Sequence, residues 1–360
     1  MRIDSHQHYF AVMKGKMGEL QAAGDLADDV LERTTFVWEL PPQPYNHETR
    51  AYGKTVDSHI EAFSKRLHDA LPDETHCFLD CRFLKNAAPL ENGEIPLQAV
   101  LRSCADLGAH PSIGDAPTDD EIAVVREHVG QRNGEVLLRL SARTFAKIGF
   151  AMKLDELLNS IGAQPNQCHL FFDFEQLSAE VDASPQTFAA YSAIAGLRDI
   201  AEWLSVSIVG ASTPKTLPPA EQCPKLLPRL EWNIWREVVS NLGQNRRIPS
   251  FGDYGVSSHN IEELDPRLIT VSANIRYTAA DGMWAFKGRS LRRHSFEQFR
   301  SLSQQIVQHE AYSGPEFSWG DKYILECANG LGRTGNTTTW RRVGTNHHVS
   351  FVARQIAGQI

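Results

Sequence analysis

The feature that most constrains the fold is a repeated unit: a short apolar run, then a polar residue, then an amphipathic helical stretch. In the helical stretches apolar side chains recur at three- and four-residue spacing, as at Ile60, Phe63 and Leu67. Runs that are apolar on both faces are typical of parallel strands covered by helices. The strand-like runs are residues 9–13, 35–38, 76–79, 111–114, 136–140, 169–172, 206–209 and 249–251.

About eight such units predict an α/β fold, a closed (β/α)8 TIM-like barrel, with a doubly wound open sheet as the competing architecture. The pattern breaks after the eighth run. Residues 268–277 and 283–287, joined by Ala279-Ala280-Asp281-Gly282, predict a β-hairpin. Further helices are predicted over residues 296–307, 322–327 and 348–360, the last of which would close the barrel. We therefore expect a single barrel domain over residues 1–360, with 256–346 as an insertion that covers the C-terminal mouth.

Composition excludes several classes of protein. A formal net charge of -8 argues against a broad nucleic-acid-binding surface, and the apolar runs are too short to cross a bilayer. Six cysteines without a C-x-x-C pair predict reduced, mostly buried thiols rather than a zinc site. The opening Met1-Arg2-Ile3-Asp4 lacks the apolar core of a secretory signal, so we expect a cytoplasmic protein without membrane association.

Parallel strands place their carboxyl ends at one mouth of a barrel, so the polar residues that follow the strands should lie together there. Side chains of both charges at one site can bind a divalent metal ion, bind a phosphate, or serve as acid and base. The alternative for each residue is structural, because strand-end carboxylates also cap helices or pair with cations. The residues expected at this mouth are Lys14, Lys16, Glu39, Asp80, Arg139, Asp173, Ser212, Lys215, Asp253 and Tyr254.

A polar segment, residues 335–348, combines hydroxyls, amides, two arginines and two histidines without helical or strand periodicity. We expect a loop, which is costly to order unless it binds something, so Asn346 and His347 are candidate ligand contacts. Residues 317–321 predict a similar loop that contains Trp319 and Asp321. The indole rings of Trp319 and Trp340 could contact a ligand or anchor these loops.

The segment Asp4-Ser5-His6-Gln7-His8 has the His-x-His spacing of amidohydrolase metal sites. Because the first strand is predicted to begin at Tyr9, both histidines fall at the N-terminal end of the barrel, away from the expected mouth. A metal-dependent amidohydrolase is therefore the weaker alternative to a flexible N-terminal segment.

Six motifs, in order along nearly the whole chain, resemble the Beta protein family, which is named for a tailed-phage protein. The motifs are Tyr9-Phe10-Ala11-Val12-Met13-Lys14-Gly15-Lys16-Met17-Gly18-Glu19, Pro228-Arg229-Leu230-Glu231-Trp232, Phe251-Gly252-Asp253-Tyr254, Ser272-Ala273-Asn274-Ile275-Arg276-Tyr277, Phe317-Ser318-Trp319-Gly320-Asp321 and Trp340-Arg341-Arg342-Val343-Gly344-Thr345-Asn346-His347-His348. The resemblance implies a phage, prophage or bacterial defence setting and supplies no residue roles. The matching residues are Lys14, Lys16, Glu19, Asp253, Tyr254, Asn274, Arg276, Tyr277, Trp319, Asp321, Asn346 and His347.

The first function hypothesis is a hydrolase or lyase that acts on a phosphate-bearing small molecule or a nucleic-acid end. Anionic oxygens would be bound by Lys14, Lys16, Arg139 and Arg276. A divalent ion would be held, or a proton accepted, by Asp80, Asp173 and Asp253, and His347 would be the general acid.

The second hypothesis is a non-catalytic sensor or interaction module that recognises a phage component or a nucleotide signal, with a protein from a phage or defence system as a possible partner. The aromatic residues Tyr254, Tyr277, Trp319 and Trp340 would then contribute stacking and hydrogen bonds without turnover. A structural phage protein is the third alternative, which would expose large apolar patches.

Overall fold

Eight parallel strands close into a barrel in which each strand pairs with its neighbours in chain order and the eighth pairs with the first. The computed structural model describes residues 3, 6–88, 90–180, 182–243, 246–261 and 270–360. The closed barrel confirms the (β/α)8 prediction over the open sheet. Its strands are β1 (Tyr9–Met13), β2 (Thr34–Glu39), β3 (Cys77–Asp80), β4 (Ala109–Ile113), β5 (Val136–Ser141), β6 (Cys168–Gln176), β7 (Ser205–Ala211) and β8 (Ser250–Asp253).

A helix follows each of the first seven strands. These helices are α1 (Met17–Gly24), α2 (Val56–Ala70), α3 (Pro96–Ser103), α4 (Asp119–Val129), α5 (Phe150–Ile161), α6 (Ser184–Gly196) and α7 (Leu230–Asn241). The predicted start of α4 is confirmed, because Thr118 and Glu121 form a capping box. The predicted helix over residues 188–204 was too long, since the backbone turns extended at Leu197 and left-handed at Asp199.

Shorter elements occupy the connections. They are the strands Tyr45–Asn46, Ala51–Tyr52 and Lys225–Leu227, the short α-helices Asp28–Leu31, Ala142–Phe145 and Leu291–His294, and the 3-10 turns Arg82–Leu84, Ala105–Leu107, Pro165–Gln167, Ile200–Glu202 and Ala220–Gln222.

The chain after β8 forms a second packed unit. It contains the predicted hairpin, β9 (Ser272–Ala279) and β10 (Gly282–Ser290), followed by α8 (Gln298–Val307) and α9 (Trp319–Ala328). Residues 268 and 269, at the predicted start of the hairpin, lie outside the described residues. The side chains of Ile275, Phe286 and Phe299 belong to an apolar core that is separate from the core around the barrel.

The last helix, α10 (Thr337–Ile356), contains most of the segment that was predicted to be a loop. That prediction was wrong because the middle of α10 is enclosed on all sides: every residue from Val343 to Ala353 is buried, so the apolar residues there show no one-sided period. The N-terminal half contributes Trp340 to the core of the insertion, whereas the C-terminal half contributes Val352 to the barrel core. The helix packs against α1 and so takes the closing position predicted for residues 348–360.

The interior of the barrel is layered. Side chains alternate along a strand, so every second residue of β3, β5 and β6 points into the barrel. The residues directly before β3 and β5 continue this inward series. At the N-terminal end the inward side chains are titratable, in the middle they are apolar, and at the C-terminal mouth they are charged. The three series are His76-Phe78-Asp80, Glu135-Leu137-Arg139 and His169-Phe171-Asp173.

All six cysteines are free thiols and five of them are buried, as predicted. Within the described part of the chain, no helix combines the length and the apolar character needed to cross a bilayer.

Candidate functional site at the barrel mouth

Side-chain alternation decides which of the predicted residues face the mouth. Asp80, Arg139 and Asp173 continue the inward series of their strands, and Tyr254 follows β8 with inward parity. Asp253 has the opposite parity. It is in register with Ala11 of β1, whose side chain belongs to the core outside the barrel, so Asp253 points outward. The predicted position of the Asp253 side chain at the mouth was wrong, because side chains one residue apart on a strand point to opposite faces.

Arg139 is the centre of the mouth. Its Nη1 lies 2.9 Å from Glu39 Oε1 and 2.5 Å from Asp80 Oδ2. Its Nη2 lies 2.9 Å from Asp173 Oδ2 and donates to the Tyr254 hydroxyl at 2.5 Å. Tyr254 in turn donates to Asp173 Oδ2 at 2.5 Å. One guanidinium therefore gathers three carboxylates from three strands.

Two further cations contact Glu39, one of these carboxylates. Lys14 lies 2.5 Å from Glu39 Oε2, and Arg82 Nε lies 2.8 Å from Glu39 Oε1. Both cations also donate to the carbonyl oxygen of His259, which belongs to the chain that follows β8. The beginning of the insertion therefore lies across the β1 and β2 side of the mouth.

These contacts determine the ionisation of the mouth. Burial alone would raise the pKa of Glu39, but Lys14, Arg82 and Arg139 together lower it to about 2. At Asp173 burial is again opposed, chiefly by Arg139, and the pKa is lowered. Burial raises the pKa of Tyr254 well above its ordinary value, so this phenol stays protonated and donates.

The β3 to β6 side of the mouth is open and forms a pocket of about 380 Å³. Asp80, Arg139 and Asp173 form its floor, and Ser112 donates to Asp80 Oδ2 at 3.2 Å. The wall carries residues that the strand-end analysis did not identify, namely Arg82, Lys85, Asp115, Glu121, Arg143, Lys147 and Glu175. This concave, charged site at the C-terminal ends of the strands is where barrel proteins bind ligands.

A different cluster surrounds Asp253 on the outside of the barrel. The Tyr9 hydroxyl and the Gly255 amide both donate to Asp253 Oδ1, and His348 Nε2 lies 3.0 Å from Oδ2. The pKa of Asp253 is lowered because His348 and Arg229 outweigh the effect of burial. Asp253 is 2% exposed and therefore links β8 to β1 and α10 rather than meeting solvent.

Ser212 belongs to this outer cluster as well. Its hydroxyl donates to Glu231 Oε2 and accepts from the Leu230 amide, so Ser212 joins the end of β7 to the start of α7. The pKa of Glu231 is raised to about 7, mainly by burial and to a smaller extent by the nearby Asp253 carboxylate. The Ser212 side chain points outward and does not line the mouth pocket.

His347 lies in the insertion and not at the mouth. Its Nδ1 is 2.8 Å from Asp321 Oδ2, and its Nε2 is 2.8 Å from the Thr278 carbonyl oxygen. Tyr277 stacks on the imidazole with ring centroids 3.8 Å apart and donates to Asp321 Oδ1 at 2.6 Å. His347 is fully buried by these partners, which removes the geometric support for a general acid at the mouth.

A family model described as Beta protein matches residues 9–354. The chain belongs to the Beta protein family. Among curated proteins no match is found.

Some of the residues that carry the Beta protein motifs join the insertion to the barrel. Asn346 accepts from the Gly320 amide at 2.9 Å and donates to the Ala22 carbonyl at 3.1 Å, so it bridges α9 and α1. A side chain at position 320 would meet the Val343 carbonyl at 2.5 Å, which explains why glycine stands where α9 crosses α10. Lys14 and Tyr254 are the motif residues that reach the mouth.

The remaining predicted contacts are dispersed. Lys16 and Lys215 are exposed and do not line the mouth pocket. Arg276 lines a separate pocket beside α10. Trp319 begins α9 instead of lying in a loop, and the Arg342 guanidinium carbon stands 4.0 Å from the centre of its indole ring.

Several residues of the candidate site were missed because they are not strand-end residues. Lys85, Arg143 and Lys147 lie in the connections after β3 and β5. Arg82 follows Asp80 by two residues, and the Arg82 amide donates to Asp80 Oδ1 at 2.9 Å. The only usable signal was the density of basic residues shortly after strands that end in acidic or basic residues.

One group among the described residues has metal-ligand geometry, at the opposite end of the barrel. The ligand atoms of His76, Glu135 and His169 all lie within 4.8 Å of one another. His76 and His169 each bond Glu135 Oε2, at 2.8 and 3.0 Å, so the carboxylate is already shared between two imidazoles. His8 lies at the same N-terminal end, as predicted, where its Nε2 bonds Thr35. Residues at this end of a barrel usually contribute to stability.

Proposed function

We propose that the mouth pocket binds a phosphate-bearing small molecule or a nucleic-acid end and that the chain acts on it as a hydrolase or lyase. The observation that carries this proposal is the unequal engagement of the pocket's charges. The Asp115 carboxylate accepts from the Ser141 amide, and Glu121 caps α4. The Lys147 ammonium has no side-chain partner in the described residues. Arg143 is exposed and pairs with Glu175 at 3.2 Å. Lys85 is paired with Glu121 at 3.2 Å. On the pocket wall Lys147 is therefore free to meet an anion, and Arg143 would give up one exposed ion pair, which is worth little, to join it.

Asp173 is the side chain best placed to act on a bound ligand. Its Oδ2 is occupied by Arg139 and Tyr254, whereas its Oδ1 accepts one bond, from the Glu175 amide at 2.8 Å. A carboxylate oxygen accepts two hydrogen bonds, so Oδ1 retains capacity toward the pocket. The ionised carboxylate would orient a water molecule or accept its proton, while Arg139 holds it in place. Asp253 and His347 have no part in this proposal.

A divalent ion would find two such oxygens, Asp80 Oδ1 and Asp173 Oδ1, on the pocket floor. The negative charges of Glu39, Asp80 and Asp173 are already balanced by three cations. These cations are Lys14, Arg82 and Arg139. A metal-assisted reaction is therefore a less supported version of the proposal than a reaction in which fixed cations bind the phosphate.

A second candidate function is recognition without turnover, for example of a phage component or a nucleotide signal. The specific observation in its favour is the engagement of Arg139 and Lys14, whose charged groups contact carboxylates in the present arrangement. Such a network stabilises a pocket well but leaves few groups that can transfer a proton.

The test is a panel of nucleotides and sugar phosphates incubated with the purified protein and followed by 31P NMR and mass spectrometry. Three proteins are compared: the unaltered chain, Asp173→Asn, and the double variant Arg143→Gln with Lys147→Gln. We expect conversion of at least one compound, a loss of about 100-fold or more in kcat for Asp173→Asn, and about a tenfold rise in KM for the double variant.

Binding of a panel member with full recovery of the compound would favour recognition over catalysis. Absence of both binding and conversion, or an unchanged rate in Asp173→Asn, would contradict the proposal. Lys153→Gln is the matched control, because this lysine lies on the exposed face of α5 and outside the mouth pocket.

A further inference from the structure

A second pocket, of about 170 Å³, lies outside the barrel between β9 and α10. Its polar lining comes from Ser272, Asn274 and Arg276 on β9 and from Thr337 and Arg341 on α10. It shares no lining residue with the mouth pocket. In the described part of the chain no aspartate or glutamate lines it, although two guanidinium groups do.

The two guanidiniums lie close enough to share an acceptor. Arg276 Nη1 donates to the Val256 carbonyl oxygen at 2.7 Å, and Arg341 Nη1 approaches the same oxygen at 3.4 Å. Arg341 also donates to the Ser257 hydroxyl at 2.9 Å, and that hydroxyl donates to Glu19 at 2.8 Å. Arg341 therefore contacts the Glu19 carboxylate only through the Ser257 hydroxyl group.

Arg276 is incompletely satisfied. Its Nε is buried and has no hydrogen-bond partner among the described residues. Burial and, secondarily, the charge of Arg341 lower the pKa of Arg276 to about 9, so it remains charged at neutral pH. An anion bound between Arg276 and Arg341 would relieve the repulsion of the two like charges, and a small turn of the Arg276 guanidinium would offer it the unpartnered Nε as well.

The N-terminal end of α10 adds to the preference of this pocket for an anion. Thr337 is the first residue of this 20-residue helix and lines the pocket. The free amide groups and the dipole at a helix N-terminus favour negative charge. On the other side, Phe299 and Trp340 stack with centroids 4.5 Å apart and present an apolar wall. The Trp340 Nε1 group donates to the Thr334 carbonyl, so the indole is already fixed.

We infer that this pocket is a binding site for a compact oxyanion of the phosphate or sulfate class, held between Arg276 and Arg341. The volume is below the range of about 300–1,000 Å³ typical of drug-sized ligands, which favours a small anion or a single phosphate group over a whole nucleotide. The site is separate from the mouth pocket and does not depend on the function proposed for it.

The test uses sodium sulfate with the full chain, at an ionic strength held constant with sodium chloride. Binding is measured by calorimetry and by the rise in Tm. We expect Arg341→Gln to weaken sulfate binding at this pocket at least about tenfold and the double variant Arg276→Gln with Arg341→Gln to abolish the binding step that belongs to this pocket. The control is Lys153→Gln, which is exposed on α5 and lines neither pocket, and for which the sulfate affinity of this site should change less than about twofold. An undiminished sulfate response in the double variant would overturn the inference.

A second variant covers the case in which the double variant does not fold. Asn274→Asp places a carboxylate in the pocket as an internal counter-ion, so it should raise Tm in chloride and remove the response to sulfate. A response to sulfate equal to that of the unaltered chain would contradict the inference. Crystals grown with sodium selenate should also show an anomalous peak within about 4 Å of both guanidiniums, and selenate found elsewhere only would count against the site.

Discussion

His348 Nε2 lies 3.0 Å from Asp253 Oδ2 in a fully buried contact between the last helix and the last barrel strand. The neighbouring His347 points to Asp321 in the insertion. Thr278 contacts both imidazoles, through its hydroxyl at 2.7 Å from His348 and through its carbonyl oxygen at 2.8 Å from His347. Two adjacent histidines therefore attach the insertion to the barrel, at a distance from the mouth pocket.

Asp253→Asn should lower the free energy of unfolding by about 3 kcal/mol, because it removes the charged partner from a buried contact with His348 and Arg229. The folded variant should bind mouth ligands normally. Urea denaturation measures the first effect, with the exposed Asp155→Asn as a control that should change stability by less than about 0.5 kcal/mol. A stability unaffected by Asp253→Asn would contradict the structural role assigned to this residue.

Asp321→Asn should loosen α9 locally, since Asp321 accepts from Ser318, Tyr277 and His347. Loss of about 1–3 kcal/mol should raise amide hydrogen exchange in residues 319–328 about tenfold or more. Exchange followed by mass spectrometry measures this directly. Lys322→Gln, an exposed change in the same helix, is the control, and equal exchange in the two variants would refute the prediction.

Glu231→Gln should stabilise the protein above neutral pH. The pKa of Glu231 is raised from 4.5 to about 7, so the folded state holds this proton more tightly than the unfolded state. The protonated Glu231 side chain therefore contributes to the stability of the fold at low pH. This contribution is lost as the pH rises from about 4.5 to 7. At pH 8 the glutamine, which remains neutral and can still accept from Ser212, should gain about 1–3 kcal/mol. At pH 4 the gain should vanish, and a gain that is equal at both pH values would contradict this account.

Acid should destabilise the fold through the N-terminal end of the barrel. Burial lowers the pKa of His76 to about 2, of His110 to about 3 and of His8 to about 4, all from 6.5. Their neutral forms are favoured in the folded state, so stability is full above about pH 6.5 and falls as the pH decreases toward 4. Each buried histidine should contribute about 1.4 kcal/mol per pH unit. His110→Gln should flatten the measured dependence by that amount, whereas the exposed His294→Gln should leave it unchanged.

The barrel was predictable because buried parallel strands and amphipathic helices leave distinct periods in the sequence. The orientation of Asp253 was not predictable. The strand β8 is only four residues long, so the sequence does not show whether Asp253 or Tyr254 continues its inward series. Inward parity at Arg139 and Asp173 was recoverable, since β5 and β6 are longer.

The polar segment before the C-terminus was interpreted as a loop for a different physical reason. Helical periodicity is visible only when one face meets water, and α10 is enclosed by the barrel on one side and by the insertion on the other. The capping of this helix by Asn336, whose side chain accepts from the Thr339 amide, was a local signal of its start. The mouth cations Arg143 and Lys147 lie in a connection, where strand patterns carry no information about them.

The central claim is that ligand binding depends on the mouth pocket and not on Asp253 or His347. The most direct measurement is calorimetric affinity for the tightest-binding compound of the phosphate panel, in the unaltered chain, in Arg143→Gln with Lys147→Gln, and in Asp253→Asn. The account predicts about a tenfold or greater loss of affinity in the double variant and a change of less than about twofold in folded Asp253→Asn. An affinity lost in Asp253→Asn and retained in the double variant would contradict it.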